Sequence, residues 1–401
     1  MQKKHILISE AAVLFAALAI FSSLLIFRVT TDIPTHAATV RWVIEGTIAP
    51  PANFLFYLLV YVVALFQTSA WALESATAVI LAVSVAVKYR ITRRYSVELY
   101  HELVHGPRDA DGRSRDMRDG PDQTASAPAW AIPALAISML LIFSLPTQTS
   151  FYLGQFPPNV WHNSTTIFVT PFALMLFWLS YRQLSAPTMR RLAVIAVLCV
   201  INVIAKPSFF LVFVVAYPLM LLRVFGLARA RWIELLPVAL GIIATTVIYY
   251  LTFVQSYGDL YGGETAVVIR PFATWLRWSG NIPLSLFCSL AFPICYCVAY
   301  REDLRTRQIL QYAALCYAIA IGIFVVFAET GTRASHGNFM WQCIICSYIL
   351  FWVTAVLFLE KLRNFGLRRW KNRIVLLAFL AHLLAGFVYL GRVFLVTGSA
   401  W

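Results

Sequence analysis

The sequence predicts an all-α, polytopic helical membrane protein of about eleven crossings, and three observations predict it. Its 401 residues are 60% hydrophobic and only 12% charged, about half the charged share of an ordinary soluble domain. The apolar residues fall in runs of roughly 15–23, mostly long enough to cross a hydrocarbon core of about 30 Å as helices. No succession of alternating segments of about ten residues is present, which argues against a membrane β-barrel.

The elements follow in order. Met1 to Lys4 precede an apolar run, as in a signal peptide. The run is long and no small-residue cleavage site follows, so it reads as an uncleaved signal anchor over 7–27. Further crossings are expected over 73–88, 129–146, 165–181, 191–205, 208–222, 235–254, 281–300, 309–328, 339–358 and 374–396. The apolar stretch 53–69 is read instead as lying flat or re-entrant on the outer face. Counted as a crossing, it would send the basic stretch 88–94 outside and reverse every later loop.

The positive-inside rule supports this choice. With it, all but seven of the 32 lysines and arginines fall on the inner side. Outside remain Arg28, Arg41, Lys206, Arg270, Arg277, Arg333 and Arg392. The N-terminus is then cytoplasmic and the C-terminus outside, as expected for a bacterial plasma-membrane protein. A net charge of +14 would suggest nucleic acid in a soluble chain; here its sidedness accounts for it, and no nucleic-acid partner is expected.

The chain reads as one transmembrane domain, 1–401, with a first outer loop over 28–72 and a cytoplasmic loop over 89–128. Residues 106–127 are polar, nearly charge-balanced and poor in large apolar side chains, so they are expected to be disordered. The seven cysteines (199, 288, 295, 297, 316, 343, 346) lie in or beside apolar runs and read as core packing, with no disulfide framework.

Polar chemistry gathers on the expected outer face. Asp32 follows the first apolar run, in Phe27-Arg28-Val29-Thr30-Thr31-Asp32, where a carboxylate can stay ionised at the membrane boundary. The other reading is a plain helix N-cap. His36 follows, then an amphipathic stretch from Ala37 to Ile48 that suits a flat helix on the outer leaflet.

The next outer loop holds Tyr152, Gln155, Asn159, His162 and Asn163 among Gly, Pro and aromatics. Aromatic faces with amide groups suit a carbohydrate; an aromatic belt with turn residues is the other reading. Asn163-Ser164-Thr165 fits a glycosylation sequon. Lys206-Pro207 sits at the outer end between two crossings, where an ammonium either snorkels to the surface or meets an anion. Asp259, Glu264 and Arg270 follow, then Arg333 and His336, a pair able to clamp a phosphate.

On the inner face, His101-Glu102-Leu103-Val104-His105 matches a zinc-protease pattern. That chemistry needs a third ligand and a continuing helix. Gly106-Pro107 breaks the chain instead, so exposed polar residues on a juxtamembrane helix are the better reading.

The outer-face layout resembles the C-type (GT-C) integral membrane glycosyltransferases, which use polyprenyl-phosphate sugars. Asp32 corresponds to the acidic residue of their long first outer loop, and 37–48 and 53–69 to its flat helices. Gly154-Gln155-Phe156-Pro157-Pro158-Asn159 and Lys206-Pro207 are similar to the turn and the later Lys-Pro of polyprenyl-phosphomannose-dependent mannosyltransferases. Two extra residues separate Gln155 from Asn159 here.

The resemblance implies an enzyme that moves a sugar from a polyprenyl-phosphate donor to a glycan or lipid-linked acceptor on the outer face. Asp32 would be the general base. His36, Tyr152, Gln155, Asn159, His162, Asn163, Lys206, Arg270, Arg333 and His336 would hold substrate. No cofactor is implied, metal ligands are not assigned, and a divalent metal stays open. The alternatives are a membrane zinc protease on His101 and His105, and a non-enzymatic transporter or lipid flippase.

Overall fold

A computed structural model of the chain describes residues 2–106, 130–147, 154–227, 229–251, 266–331, 334 and 337–397. Apart from Gly106, the stretch expected to be disordered lies outside them. The described residues are overwhelmingly helical. The one sheet among them is a two-stranded antiparallel ribbon, β1 (Val267–Ile269) on β2 (Phe327–Glu329), with Val267 opposite Glu329.

Among the described residues, eight helices are long and apolar enough to cross a membrane, which makes the chain an integral membrane protein. They are α1 (Gln2–Ile26), α4 (Ala70–His105), α6 (Ser164–Ser185), α8 (Ser208–Phe225), α11 (Ile282–Ala299), α13 (Gln308–Val326), α14 (Trp341–Phe365) and α15 (Trp370–Arg392). The other three expected crossings fall on shorter helices: α5 (Ala131–Leu141), α7 (Met189–Ala205) and α9 (Leu236–Tyr249). Two surface helices, α2 (Ile33–Ile44) and α3 (Leu55–Val63), and the short α10 (Ala273–Trp278) and α12 (Arg301–Thr306) complete the set. With only nine residues, α3 is about 14 Å long, half the hydrocarbon thickness, so it does not cross as a helix. α2 begins earlier than the expected 37–48, with Pro34 in its first turn, which brings His36 inside the helix.

α4 is longer than expected. Its 36 residues make a rod of about 54 Å, which continues through 89–105 and stops at Gly106 (φ 78°). α1 packs antiparallel on it, pinned by Arg28–Glu74 (3.3 Å) at one end and Arg93–Glu10 (3.1 Å) at the other. α14 is the central post: it is apolar on all sides and buried from Trp341 to Phe358, as a helix surrounded by others must be.

α5 ends early because its terminus is capped from elsewhere. Asn159 Nδ2 donates to the carbonyls of Met139 (2.9 Å) and Ile142 (2.8 Å). The chain then runs extended, with Phe143 N–H on the His382 carbonyl and Leu145 N–H on the Cys288 carbonyl. The Phe292 N–H donates to His382 Nε2 (3.3 Å), so Nδ1 carries the proton and donates to the Phe143 carbonyl (2.6 Å). Irregular backbone at membrane depth is tolerated only when its polar groups are satisfied in this way.

The end of the bundle away from Asp32 is closed by ion pairs and tyrosine hydroxyls. Glu102 pairs with Arg182 (2.8 Å) and accepts from Tyr181 (2.8 Å). Asp303 pairs with Lys361 (3.1 Å) and accepts from Tyr296. All seven cysteines are free; five are buried and two half-buried.

Candidate functional site

Asp32 stands at the N-cap position of α2, yet its side chain caps nothing. The carboxylate turns toward α6 instead, where Asn163 Nδ2 donates to Oδ2 at 2.5 Å. One helical turn on, His36 Nε2 lies 3.5 Å from the same oxygen. His36 Nδ1 shares a hydrogen bond with the Tyr57 hydroxyl of α3 (2.8 Å), so the two surface helices fix the imidazole between them. Asp32 Oδ1 is buried and has no hydrogen-bond partner among the described residues. A buried polar atom left without a partner calls for an explanation.

Asn163 is the hinge of the cluster. It is the N-cap of α6, and its Oδ1 accepts from the Thr166 N–H (3.0 Å) and from Lys206 Nζ (3.1 Å). The amide therefore faces a carboxylate on one side and an ammonium on the other. Lys206 follows α7 in extended conformation, and Pro207 turns the chain into α8. Its Nζ also donates to Thr165 Oγ1 (2.9 Å) and lies over the Trp341 ring, 4.7 Å from the centroid.

α6, α8 and α14 begin at Ser164, Ser208 and Trp341, so three helix N-termini meet around this lysine. Their partial positive charges favour an anion there. Burial lowers the Lys206 ammonium to about 7 against the opposing pull of Asp32. His162 is fully buried beside Trp341 and Tyr389. Burial lowers it to about 4, with Asp32 opposing and Lys206 reinforcing, so its ring is neutral near pH 7.

The fold thus brings together Asp32, His36, His162, Asn163 and Lys206. The loop that carries the third and fourth is buried from Gly154 onward. Gly154 has φ +80°, and a Cβ there would meet Ser279 Cβ at 2.9 Å. Its carbonyl accepts from Trp275 Nε1 (2.8 Å).

Gln155 makes no hydrogen bond to this cluster among the described residues; its Nε2 donates to Thr147 Oγ1 (3.2 Å). Asn159 is engaged with α5 and with Lys88 Nζ (2.6 Å). Arg270 stands exposed at the end of β1. Tyr152, Arg333 and His336 lie outside the described residues.

Tyr57, Thr165, Trp341 and Tyr389 join the cluster without having been expected. Each sits in or next to an apolar run, where an aromatic or hydroxyl residue gives no separate signal. The sequon residue Asn163 is 5% exposed, and both ends of its amide are engaged, so it is closed to glycosylation. On the far end, the Arg182 pair and Tyr181 hold Glu102, and no group of three His, Cys, Asp or Glu among the described residues is placed to hold a metal. A scan against protein-family models finds no match to this chain, and a search of curated proteins finds none.

Proposed function

We propose that this protein transfers a sugar from a polyprenyl-phosphate donor to an acceptor hydroxyl, with Asp32 as general base. One observation carries the reading: a carboxylate and an ammonium are held on opposite sides of a single amide, Asn163, where three helix N-termini converge in an apolar bundle. A proton acceptor and an anion seat, side by side at a membrane surface, are what such a transfer requires.

The acceptor oxygen attacks the anomeric carbon and forms the new C–O bond. The bond from that carbon to the donor phosphate breaks, and its electron pair leaves with the lipid phosphate. The acceptor proton passes to Asp32 Oδ1, the oxygen left without a hydrogen-bond partner among the described residues. General-base assistance of this kind contributes about 10²–10⁴-fold. Lys206 and the helix N-termini stabilise the departing phosphate, and low dielectric strengthens their effect. His36 and Asn163 orient Asp32. The sidedness of the basic residues supports an extracytoplasmic location for this end.

The test is transfer from synthetic polyprenyl-phosphate sugars by purified wild type and Asp32→Asn. Transfer by wild type and its near-complete loss in Asp32→Asn are expected. Full activity in Asp32→Asn would refute the base assignment. Absence of transfer with every donor would favour a transporter.

A further inference from the structure

Lys88 is the one lysine or arginine that is buried among the described residues. It sits midway along α4, 8% exposed. No carboxylate lies within ion-pairing distance of it among the described residues. Its partners are neutral: Asn159 Oδ1 at 2.6 Å and the face of Tyr348, 3.8 Å from the ring centroid. An ammonium carries three donors, so two remain. A buried charge without a counter-charge is strongly disfavoured.

A cavity opens beside it, walled by Val85, Leu140, Trp161, Thr166 and Ile344. Thr166 is 1% exposed, and its hydroxyl has no hydrogen-bond partner among the described residues. Both amide hydrogens of Asn159 are committed to α5 carbonyls, and Thr170 donates to the Thr166 carbonyl. Two of the groups beside the cavity thus have hydrogen-bonding capacity to spare among the described residues, the ammonium and the Thr166 hydroxyl, both able to donate, and most of its walls are apolar. Its volume is about 20 Å³, room for a single water-sized guest.

We infer that this cavity is a binding site for one monoatomic anion of halide size, held by Lys88 Nζ and Thr166 Oγ1 as the counter-charge of the buried lysine. The site is separate from the Asp32 cluster, although Thr166 links the two through its N–H on Asn163. It does not depend on the glycosyltransferase reading.

The test uses the full chain in detergent, freed of halide, with bromide as the probe. Bromide replaces gluconate at constant ionic strength, and the unfolding midpoint is followed. The expected result is a saturable rise of several degrees in wild type, weakened at least several-fold in Thr166→Val and absent in Lys88→Met. Crystals grown in bromide should show one anomalous peak between Lys88 and Thr166. This second measurement stands even if Lys88→Met does not fold. A bromide-independent midpoint, or a peak absent from the cavity, would overturn the proposal and leave a single water as its occupant.

Discussion

Asn163 and Asp32, 131 residues apart, share a hydrogen bond of 2.5 Å in which the amide donates to the carboxylate. The same amide accepts from Lys206 with its other atom. Neither charge can move without disturbing the other, because both are registered on one planar group that also caps α6. In the proposed reaction Asn163 is a positioning residue. Replacing it with Ala removes the clamp and leaves a half-buried carboxylate and an ammonium each short of a partner, at about 1–3 kcal/mol. Sugar transfer should fall about 10–100-fold, at 1.4 kcal/mol per tenfold. Asp32→Asn should fall further, by 10²–10⁴-fold. Equal activity of Asn163→Ala and wild type in a single-turnover assay would remove the positioning role.

In the proposed reaction, Lys206 makes donor binding depend on pH. Burial brings its ammonium down to about 7, so it is charged below that pH and neutral above. A polyprenyl-phosphate sugar is a phosphodiester and keeps one negative charge throughout this range. Donor affinity should therefore weaken as pH rises through 7. Lys206→Arg keeps its charge and should flatten the dependence. Titrating a fluorescent phosphodiester lipid at pH 6 and pH 9 checks this. A wild-type profile as flat as that of the arginine variant would exclude Lys206 as the anion seat.

Much of this site was legible before any fold was known. Asp32, His36, His162, Asn163 and Lys206 stood out because charge and amides are rare in an apolar chain, and the positive-inside count put them on one face. Lys88 is not legible in this way. It closes an apolar run, so hydropathy puts it at the inner boundary with Arg90. α4 runs on to His105, and the lysine ends up in the bundle interior.

The early end of α5 was equally hidden. Ile142, Phe143 and Leu145 are as apolar as the helix before them, and the groups that cap it come from Asn159, Cys288 and His382. Periodicity in a local window carries no trace of partners supplied from 17 to 239 residues away.

His162 should make the protein labile to acid. Its folded value is about 4, against 6.5 for an unperturbed imidazole. Between these two pH values the unfolded chain binds a proton that the folded chain refuses. Stability is therefore lost as pH falls from 6.5 to 4, by up to roughly 3 kcal/mol. His162→Gln removes that linkage. Unfolding midpoints between pH 7 and pH 4 should fall less steeply in His162→Gln than in wild type. Parallel curves would show that the imidazole titrates without reference to its burial.

Gly386 tests whether the cap on α5 supports the site. It lies in α15, one turn beyond His382, and a Cβ there would fall 1.7 Å from the Leu141 carbonyl oxygen. That obstacle is backbone, so it cannot rotate aside. Gly386→Ala must push α15 away from the end of α5 and strain the His382–Phe143 contact. Overpacking of this kind costs about 1–3 kcal/mol or more. Gly391, in the same helix, has open space where its Cβ would stand. Gly391→Ala should be neutral or stabilising by up to about 1 kcal/mol, since alanine favours helix over glycine. The pair separates helix propensity from close approach. Asn159 ties α5 to the loop that delivers His162 and Asn163, so Gly386→Ala should also lower sugar transfer while Gly391→Ala leaves it unchanged. Melting curves and transfer rates of the two variants decide the matter. Equal behaviour would mean that α15 does not hold the end of α5 in place.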